Sequence, residues 1–187
     1  MVKRLPAITG KEKLLFPGQR VCRLKKKLHV PLRCGAVPKS LRHTAYIGLG
    51  SNIGTRQVNI EKACRYIDTT KKMVIEAASS LFRTSPVGPS QENYYNAVVR
   101  MRTSFSPHQL LKELKSIETK MGRRQSAMRW GPRIIDLDIL LYDAVCIASK
   151  ELTIPHGEMH QRLFVLVPLA EVYSGACGKA VDTRHRG

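Results

Sequence analysis

The chain has 187 residues, 43% of them hydrophobic, which suffices for one well-packed domain but not for two. Its longest apolar runs, such as residues 139–141 and 165–167, are far shorter than a membrane-spanning helix, so we expect a soluble protein without membrane association. The net charge of +18 predicts a polyanionic partner: nucleic acid, anionic lipid or a phosphate-rich small molecule.

Residues 1–43 form a basic arm with 12 Lys or Arg residues and one acid, Glu12. Prolines and glycines break any periodicity there, and no apolar stretch is long enough for a secretory signal. Such an arm is typical of an organelle transit peptide or of a disordered basic tail, and both interpretations stay open. We therefore divide the chain into this arm, a folded domain over residues 44–172, and a tail over residues 173–187, for which the sequence predicts no structure.

The folded domain is predicted to open with a strand, a turn and a helix. Residues 45–49 are typical of a short buried strand, and the glycine-containing run 50–54 is typical of a turn. Thr55 is placed to cap the helix. The apolar positions of that helix recur at spacings of three and four, as on the buried side of an amphipathic helix. They are Ile60, Ala63, Cys64 and Ile67.

Two strand candidates and a strongly signalled helix follow. The strands are residues 73–83 and 95–103, with a loop at residues 85–89 between them. In the helix, Ser106 is the cap, Pro107 takes the first helical position and Gln109 completes a capping box. Gly122 is expected to end it. Its buried stripe consists of Leu110, Leu111, Leu114, Ile117 and Met121.

A basic segment at residues 123–133 and an apolar strand at residues 134–142 complete the element order strand, helix, strand, strand, helix, strand. This order predicts an α+β fold with a ferredoxin-like β-α-β-β-α-β core and a mostly antiparallel sheet. Additional elements after Val145 are expected to extend that sheet.

Asp136 and Asp138 are the first candidates for chemistry. In a strand this spacing places both carboxylates on one face, roughly 7 Å apart along the chain. Anions among apolar neighbours need a positive partner, and hard oxygen ligands suit Mg²⁺, which completes its shell with water and phosphate oxygens. A face open to water, or two structural salt bridges, would explain the pair equally well.

Arginines precede this acid pair in the segment 123–133. Arginine matches phosphate oxygens in a bidentate fashion, and a carboxylate pair beside several guanidiniums suits phosphoryl transfer. A solvated basic loop is the alternative interpretation. The arginines are Arg123, Arg124, Arg129 and Arg133.

Other motifs give weaker signals. The run from Gly48 to Gly54 superficially resembles a dinucleotide-binding fingerprint, but its third glycine comes one place late, and no P-loop motif occurs. The five cysteines are odd in number and include no C-x-x-C pair, which argues against a disulfide framework or a cysteine zinc site and fits a reducing compartment. No convincing Ser/His/Asp or Cys/His set is present.

Six motifs occur in register over about residues 44–172, and together they closely resemble the 6-hydroxymethyl-7,8-dihydropterin pyrophosphokinase family of folate synthesis. The motifs are Gly50-Ser51-Asn52, Ser85-Pro86-Val87-Gly88-Pro89, Tyr95-Asn96-Ala97-Val98, the run from Arg129 to Ile139, Leu152-Thr153-Ile154-Pro155-His156, and the run from Arg162 to Leu169. The resemblance implies an enzyme that moves diphosphate from ATP to the pterin hydroxyl and releases AMP.

The resemblance also implies roles for individual residues. Asp136 and Asp138 are expected to hold two Mg²⁺ ions, and Arg123 and Arg133 to act on the phosphates as catalytic residues. The residues expected to bind ATP are Glu118, Arg133, His156 and Arg162. The residues expected around the pterin are Thr84, Val87, Tyr94, Asn96, Trp130 and Phe164. Tyr94 and Phe164 would stack on the ring, while Arg129 and Trp130 would lie on a loop that closes over the site.

Three features depart from the family pattern: Gln125 and Ser126 replace basic residues of some members, Lys115 stands where other members carry a different polar residue, and residues 173–187 do not resemble the family's ending. A catalytically inactive relative is therefore one alternative. A nucleic-acid-binding protein is another, although the strands carry no aromatic RNA-binding signature. With the resemblance, we expect a monomer that uses ATP and hydroxymethyl-dihydropterin and does not bind nucleic acid, located in the mitochondrion or alternatively in the cytoplasm.

Overall fold

The computed structural model describes residues 19–25, 28–30, 32, 37–86, 91–123 and 131–173. The strands are β1 Val21–Arg23, β2 His43–Ser51, β3 Met73–Ala78, β4 Phe82–Thr84, β5 Tyr94–Thr103, β6 Asp136–Tyr142, β7 Ile147–Ala148 and β8 Thr153–Ile154. The helices are α1 Arg56–Thr69, α2 Pro107–Lys120 and α3 Leu163–Val172, and a 3-10 turn, Met159–Gln161, precedes α3. Within these ranges, every helix is too short or too polar to cross a bilayer.

An antiparallel sheet organises the described residues. Its strand order is β1-β4-β5-β2-β6, and β3 also pairs with β5. β3 and β4 share one edge of β5, because Ala78 lies opposite Val99 and Phe82 lies opposite Asn96. With α1 and α2, the strands β2, β3, β5 and β6 form the predicted ferredoxin-like core. The predicted fold class is therefore confirmed.

The sheet separates two apolar layers. α1 and α2 pack on one face, over the larger core cluster. α3 packs on the other face, where Val165 and Leu169 meet Val98 and Leu140. Because side chains alternate along a strand, Leu137 lies in the larger core while Asp136 and Asp138 face the α3 side. The acid pair therefore shares one face, as its spacing predicted.

Both predicted helices are confirmed, with one difference at a cap. The predicted buried stripe of α1 is buried as a whole, but Thr55 makes no side-chain capping bond. In α2, Ser106 and Gln109 form the predicted capping box, and Gly122 ends the helical segment with a φ of +88°. Such a φ is strained for residues with a Cβ, which explains the glycine.

Two strand predictions need correction. Residues 73–83 form two strands, because at Ser79 the backbone N–H donates to the Val98 carbonyl and the side chain accepts from the Val98 N–H, so the chain turns there. The elements after Val145 do not extend the main sheet but form the separate pair β7–β8. Asp143, with a φ of +44°, turns the chain away at the end of β6.

Part of the predicted arm belongs to the sheet. β1 pairs with β4, with Val21 opposite Thr84 and Arg23 opposite Phe82. For these residues the prediction of an unstructured arm is wrong, because a short edge strand leaves no periodic signal in the sequence. Residues 1–18 and 174–187 lie outside the described residues, so the predictions for the rest of the arm and for the tail stay predictions.

Candidate active site

A cavity of about 560 Å³ opens on the α3 side of the sheet. Its volume suits a small-molecule ligand. Strands β2, β4, β5 and β6, the segment from Glu151 to Glu158 and the start of α3 contribute to its walls. The predicted site residues that line it are Thr84, Tyr94, Asn96, Arg133, Asp136, Asp138, His156, Arg162 and Phe164.

Asp136 is held by two arginines. Its Oδ1 lies 2.7 Å from Arg123 and its Oδ2 lies 2.6 Å from Arg133. Burial alone would raise the pKa of this carboxyl, but the two guanidiniums outweigh burial and hold the pKa below its usual value. Asp136 is therefore an anion throughout the physiological pH range.

Asp138, on the same face, has no such partner. Its carboxylate forms no direct hydrogen bond or ion pair with another residue of the described ranges. Burial and the neighbouring charge of Asp136 raise its pKa, although Lys115, His156 and Arg162 act in the opposite direction. The two carboxylates therefore differ: one is neutralised by arginines, and the other faces the cavity with its charge uncompensated by direct contacts.

The chemistry of this pair fits a divalent cation. Both are hard oxygen donors that line one cavity, and a cation between them would relieve the repulsion that raises the pKa of Asp138. Among the described residues, no group of three or more His, Cys, Asp or Glu side chains is arranged to hold a metal. Mg²⁺ tolerates such a sparse site because water and phosphate oxygens fill its other positions.

Glu118, expected to bind ATP, is buried and is not among the residues that line the cavity. Its side chain is only 2% exposed, and it accepts from the Leu137 N–H at 2.7 Å and pairs with Lys115 at 3.1 Å. It also lies 2.5 Å from Arg123. Burial raises the pKa of Glu118, although Lys115, the Leu137 N–H and Arg123 act in the opposite direction. In this arrangement Glu118 contacts Arg123, and its expected role in binding ATP stays a prediction.

Asn52 positions Arg133, a contact that the sequence analysis did not foresee. The buried Asn52 side chain accepts from the Arg133 N–H at 2.6 Å and donates to Gln91 at 2.8 Å. Its own N–H donates to the Arg133 carbonyl at 3.1 Å. The only available signal was its place in the Gly50-Ser51-Asn52 motif, which gave no partner.

Three of the predicted pterin residues, Thr84, Tyr94 and Asn96, lie together in the cavity. Asn96 donates from Nδ2 to the Thr84 hydroxyl at 2.7 Å, and both side chains are buried. A Cβ at Gly50 would lie 3.1 Å from Asn96 Oδ1, so only glycine leaves this oxygen uncrowded. Tyr94 lies beside them, and burial raises the pKa of its hydroxyl. The arrangement offers polar groups for a ring edge beside an aromatic face.

Two of the predicted ATP-binding residues, His156 and Arg162, line the cavity from the segment after β8 and from the start of α3. His156 Nδ1 accepts from the Glu158 N–H at 3.3 Å, so the neutral ring carries its proton on Nε2. Arg162 pairs with Glu158, and its guanidinium lies over the Phe164 ring, 5.6 Å from the centroid. Lys115, to which the sequence analysis gave no role, also lines the cavity. Val87, Arg124, Arg129 and Trp130 lie outside the described residues.

Comparisons with known proteins point to one family. The model of the 7,8-dihydro-6-hydroxymethylpterin-pyrophosphokinase family matches residues 46–174. A 2-amino-4-hydroxy-6-hydroxymethyldihydropteridine pyrophosphokinase of Bacillus subtilis is 41% identical over 133 residues, covering 71% of this chain and 79% of the relative. Its namesake in Haemophilus influenzae is 45% identical over 132 residues, covering 70% and 82%. A mitochondrial folate synthesis bifunctional protein of Arabidopsis thaliana is 42% identical over 145 residues, covering 77% of this chain and 25% of that protein.

Proposed function

The chain belongs to the 7,8-dihydro-6-hydroxymethylpterin-pyrophosphokinase family, and we propose that its cavity performs the transfer of diphosphate from ATP to 6-hydroxymethyl-7,8-dihydropterin. It is a pyrophosphokinase of folate biosynthesis. The observation that carries the assignment to this cavity is the acid pair, Asp136 and Asp138, which lines it together with two aromatic rings and Arg133.

In the proposed reaction, the pterin hydroxyl oxygen forms a bond to the β-phosphorus of ATP and gives up its proton. The bond from that phosphorus to the oxygen shared with the α-phosphorus breaks, and AMP leaves with this oxygen. Little covalent chemistry is left to the protein, so positioning and charge stabilisation supply the catalysis.

The proposed role of each residue follows from where it lies in the cavity. Tyr94 and Phe164 offer faces for the flat pterin, and Asn96 offers its Oδ1 to the ring edge. Arg133 and Arg123 bring positive charge to Asp136, where the phosphates would lie. Arg162 and His156 are assigned to the nucleotide because they face Asp138 from the start of α3 and from the segment after β8.

We propose that the reaction depends on Mg²⁺ held by Asp138 and Asp136, with two ions expected. Bound there, the metal would neutralise phosphate charge and orient the phosphates. Asp138 is the carboxylate without an arginine partner and is therefore the stronger candidate for the first ligand. Asp136, fixed by two arginines, keeps its own orientation with or without a cation.

AMP formation is expected only when ATP, hydroxymethyl-dihydropterin and Mg²⁺ are all present. Chelation with EDTA should abolish it, and added Mg²⁺ should restore it, because the acid pair by itself repels the triphosphate. Chromatography of AMP together with the mass of the pterin diphosphate measures both products. AMP formation that continues in EDTA would refute the metal dependence. Salt-sensitive RNA binding without any turnover would instead support the nucleic-acid alternative.

Replacing Tyr94 with alanine is expected to raise the KM for the pterin about fivefold, because the lost aromatic stacking is worth about 1 kcal/mol. The KM for ATP should change little. Tyr94→Phe keeps the ring and is the matched control, with a KM near that of the wild type. Steady-state kinetics with each substrate varied in turn measures both constants. An equal rise in both would show that Tyr94 does not belong to a separate pterin end.

We also propose that the protein is a monomer in the mitochondrion, with the cytoplasm as the alternative. The basic composition of residues 1–43 supports an organelle location, and so does the mitochondrial designation in the name of the Arabidopsis relative. Sedimentation of the purified chain and microscopy of the full chain with a C-terminal fluorescent tag would test the two parts of this proposal.

A further inference from the structure

Helix α3 begins between two residues of the site and has no cap of its own. Its first residue, Leu163, stands between Arg162 and Phe164, and Arg162 at the N-cap position makes no side-chain capping bond. The first N–H groups of a helix have no partner inside the helix, so they need one from elsewhere. The direction in which Arg162 and Phe164 point depends on how this helix start is held.

Gln19 supplies the missing partner from 144 residues away in the chain. Its Oε1 accepts from the Leu163 N–H at 3.0 Å. Its Nε2 donates to the Gln161 carbonyl, also at 3.0 Å. One side-chain amide is therefore hydrogen-bonded to the backbone on both sides of Arg162. Gln19 itself does not line the cavity, so it acts on the site only through the residues that it holds.

The residues after Gln19 connect this helix to the other wall of the site. The Arg20 N–H donates to the Ser85 hydroxyl at 3.1 Å, and the Ser85 N–H donates to the Arg20 carbonyl at 3.2 Å. Ser85 lines the cavity next to Thr84. Arg23 then donates to the Ser80 hydroxyl and pairs with Glu171 near the end of α3, at 3.4 Å. Residues 19–23 thus connect both ends of α3 to the strand β4 that carries Thr84.

We propose that Gln19 is a positioning residue for pterin binding: it fixes the start of α3 so that Phe164 faces the cavity beside the β4 wall. This inference rests on the proposed function. It goes beyond the family assignment, because the family model begins at residue 46 and Gln19 lies outside it. The acid pair and Arg133 lie on β6 and the segment before it, which Gln19 does not touch. Loss of Gln19 therefore affects substrate affinity and leaves the chemical step intact.

The test is Gln19→Ala in the full chain. Loss of two hydrogen bonds is expected to raise the KM for the pterin about tenfold, with kcat within about twofold of the wild type. Hydrogen exchange at the Leu163 amide should become faster, because its acceptor is gone. Gln19→Glu keeps an acceptor for Leu163 but loses the donor to Gln161, so it should give an intermediate KM. Gln161→Ala is the matched control, since it removes a neighbouring amide side chain but keeps the carbonyl that Gln19 binds.

Each outcome has one meaning. A raised pterin KM with unchanged kcat in Gln19→Ala, and wild-type values in Gln161→Ala, supports the proposal. Faster exchange at Leu163 with an unchanged KM overturns it, because the helix start is then released without effect on binding. A parallel fall in kcat, affinity and melting temperature also overturns it, since this would indicate a general structural role. A wild-type chain that forms no AMP refutes the proposed function, whereas an active wild type with an equally active Gln19→Ala refutes only this inference.

Discussion

Replacing Asp138 with alanine is expected to lower turnover at least about 1,000-fold, while the fold stays intact. A lost metal ligand removes several kcal/mol of transition-state stabilisation, and each 1.36 kcal/mol changes the rate tenfold. Asp138 is the member of the acid pair that meets the cavity without an arginine partner, whereas Asp136 is already held by two arginines. AMP release under saturating substrates measures the loss. Near-normal AMP production would count decisively against the metal assignment.

The same substitution should not destabilise the protein. The pKa of Asp138 is raised in the folded state because of burial and the charge of Asp136, so its ionised form opposes folding above the pKa of the unfolded chain. Removing the carboxyl takes away this cost at neutral pH, and the melting temperature should stay constant or rise. Asp138→Asn, which keeps the shape of the side chain, should lose turnover to a similar extent.

Asp143→Asn is a control that should lower stability without lowering turnover, the reverse of the effect expected at Asp138. Asp143 accepts from the Thr44 N–H at 2.7 Å and lies 2.7 Å from His43 Nδ1, outside the cavity. Weakening these bonds should cost about 1 kcal/mol of unfolding free energy and leave kcat unchanged. One aspartate would then affect catalysis without affecting stability, and the other stability without catalysis.

Replacing Arg123 with alanine is expected to lower both turnover and stability. Turnover should fall about 100-fold, more than ATP affinity, because the guanidinium holds charge where the phosphates react. The free energy of unfolding should fall by about 3 kcal/mol, because Glu118, 2% exposed, and Asp136 each lose a partner. Steady-state kinetics and urea denaturation measure the two effects. An equal loss in turnover and ATP affinity would mark Arg123 as a simple binding residue.

A double variant separates the two effects of Arg123. Adding Glu118→Gln to Arg123→Ala replaces the carboxylate that the first substitution leaves without its arginine, so most of the lost stability should return. Turnover should stay low, because the missing guanidinium is not replaced. If turnover recovered together with stability, Arg123 would act only as a structural partner of Glu118.

The contacts of residues 19–25 also bear on how the basic arm is processed. A transit peptide that ended at residue 43 would remove β1 and the Gln19 contacts with α3. If the proposed role of Gln19 is correct, any cleavage compatible with full pterin affinity takes place before it. The mass of the mature amino terminus would show whether the arm is cut upstream of this residue.

Local patterns in the sequence determined the helices α1 and α2, most strands and the acid pair, but not helix α3. The capping box of α2, its apolar stripe and the terminal Gly122 are short-range signals that act within one or two turns, so they survive without knowledge of the fold. The same holds for Asp136 and Asp138, whose shared face follows from the alternation of a strand. Most of the site residues came from the resemblance, and most of them meet in one cavity.

Only the tertiary structure decided which partners these residues have. Glu118 lies under Arg123, Asn52 holds Arg133, and Gln19 caps a helix at the other end of the chain. The tertiary structure also gives the two acids different surroundings: Asp136 forms ion pairs with two arginines, whereas Asp138 forms no direct ion pair with an arginine of the described residues. Such contacts join backbone or polar groups far apart in sequence, and they leave no periodic pattern because each is formed once, by the meeting of two surfaces that the fold brings together.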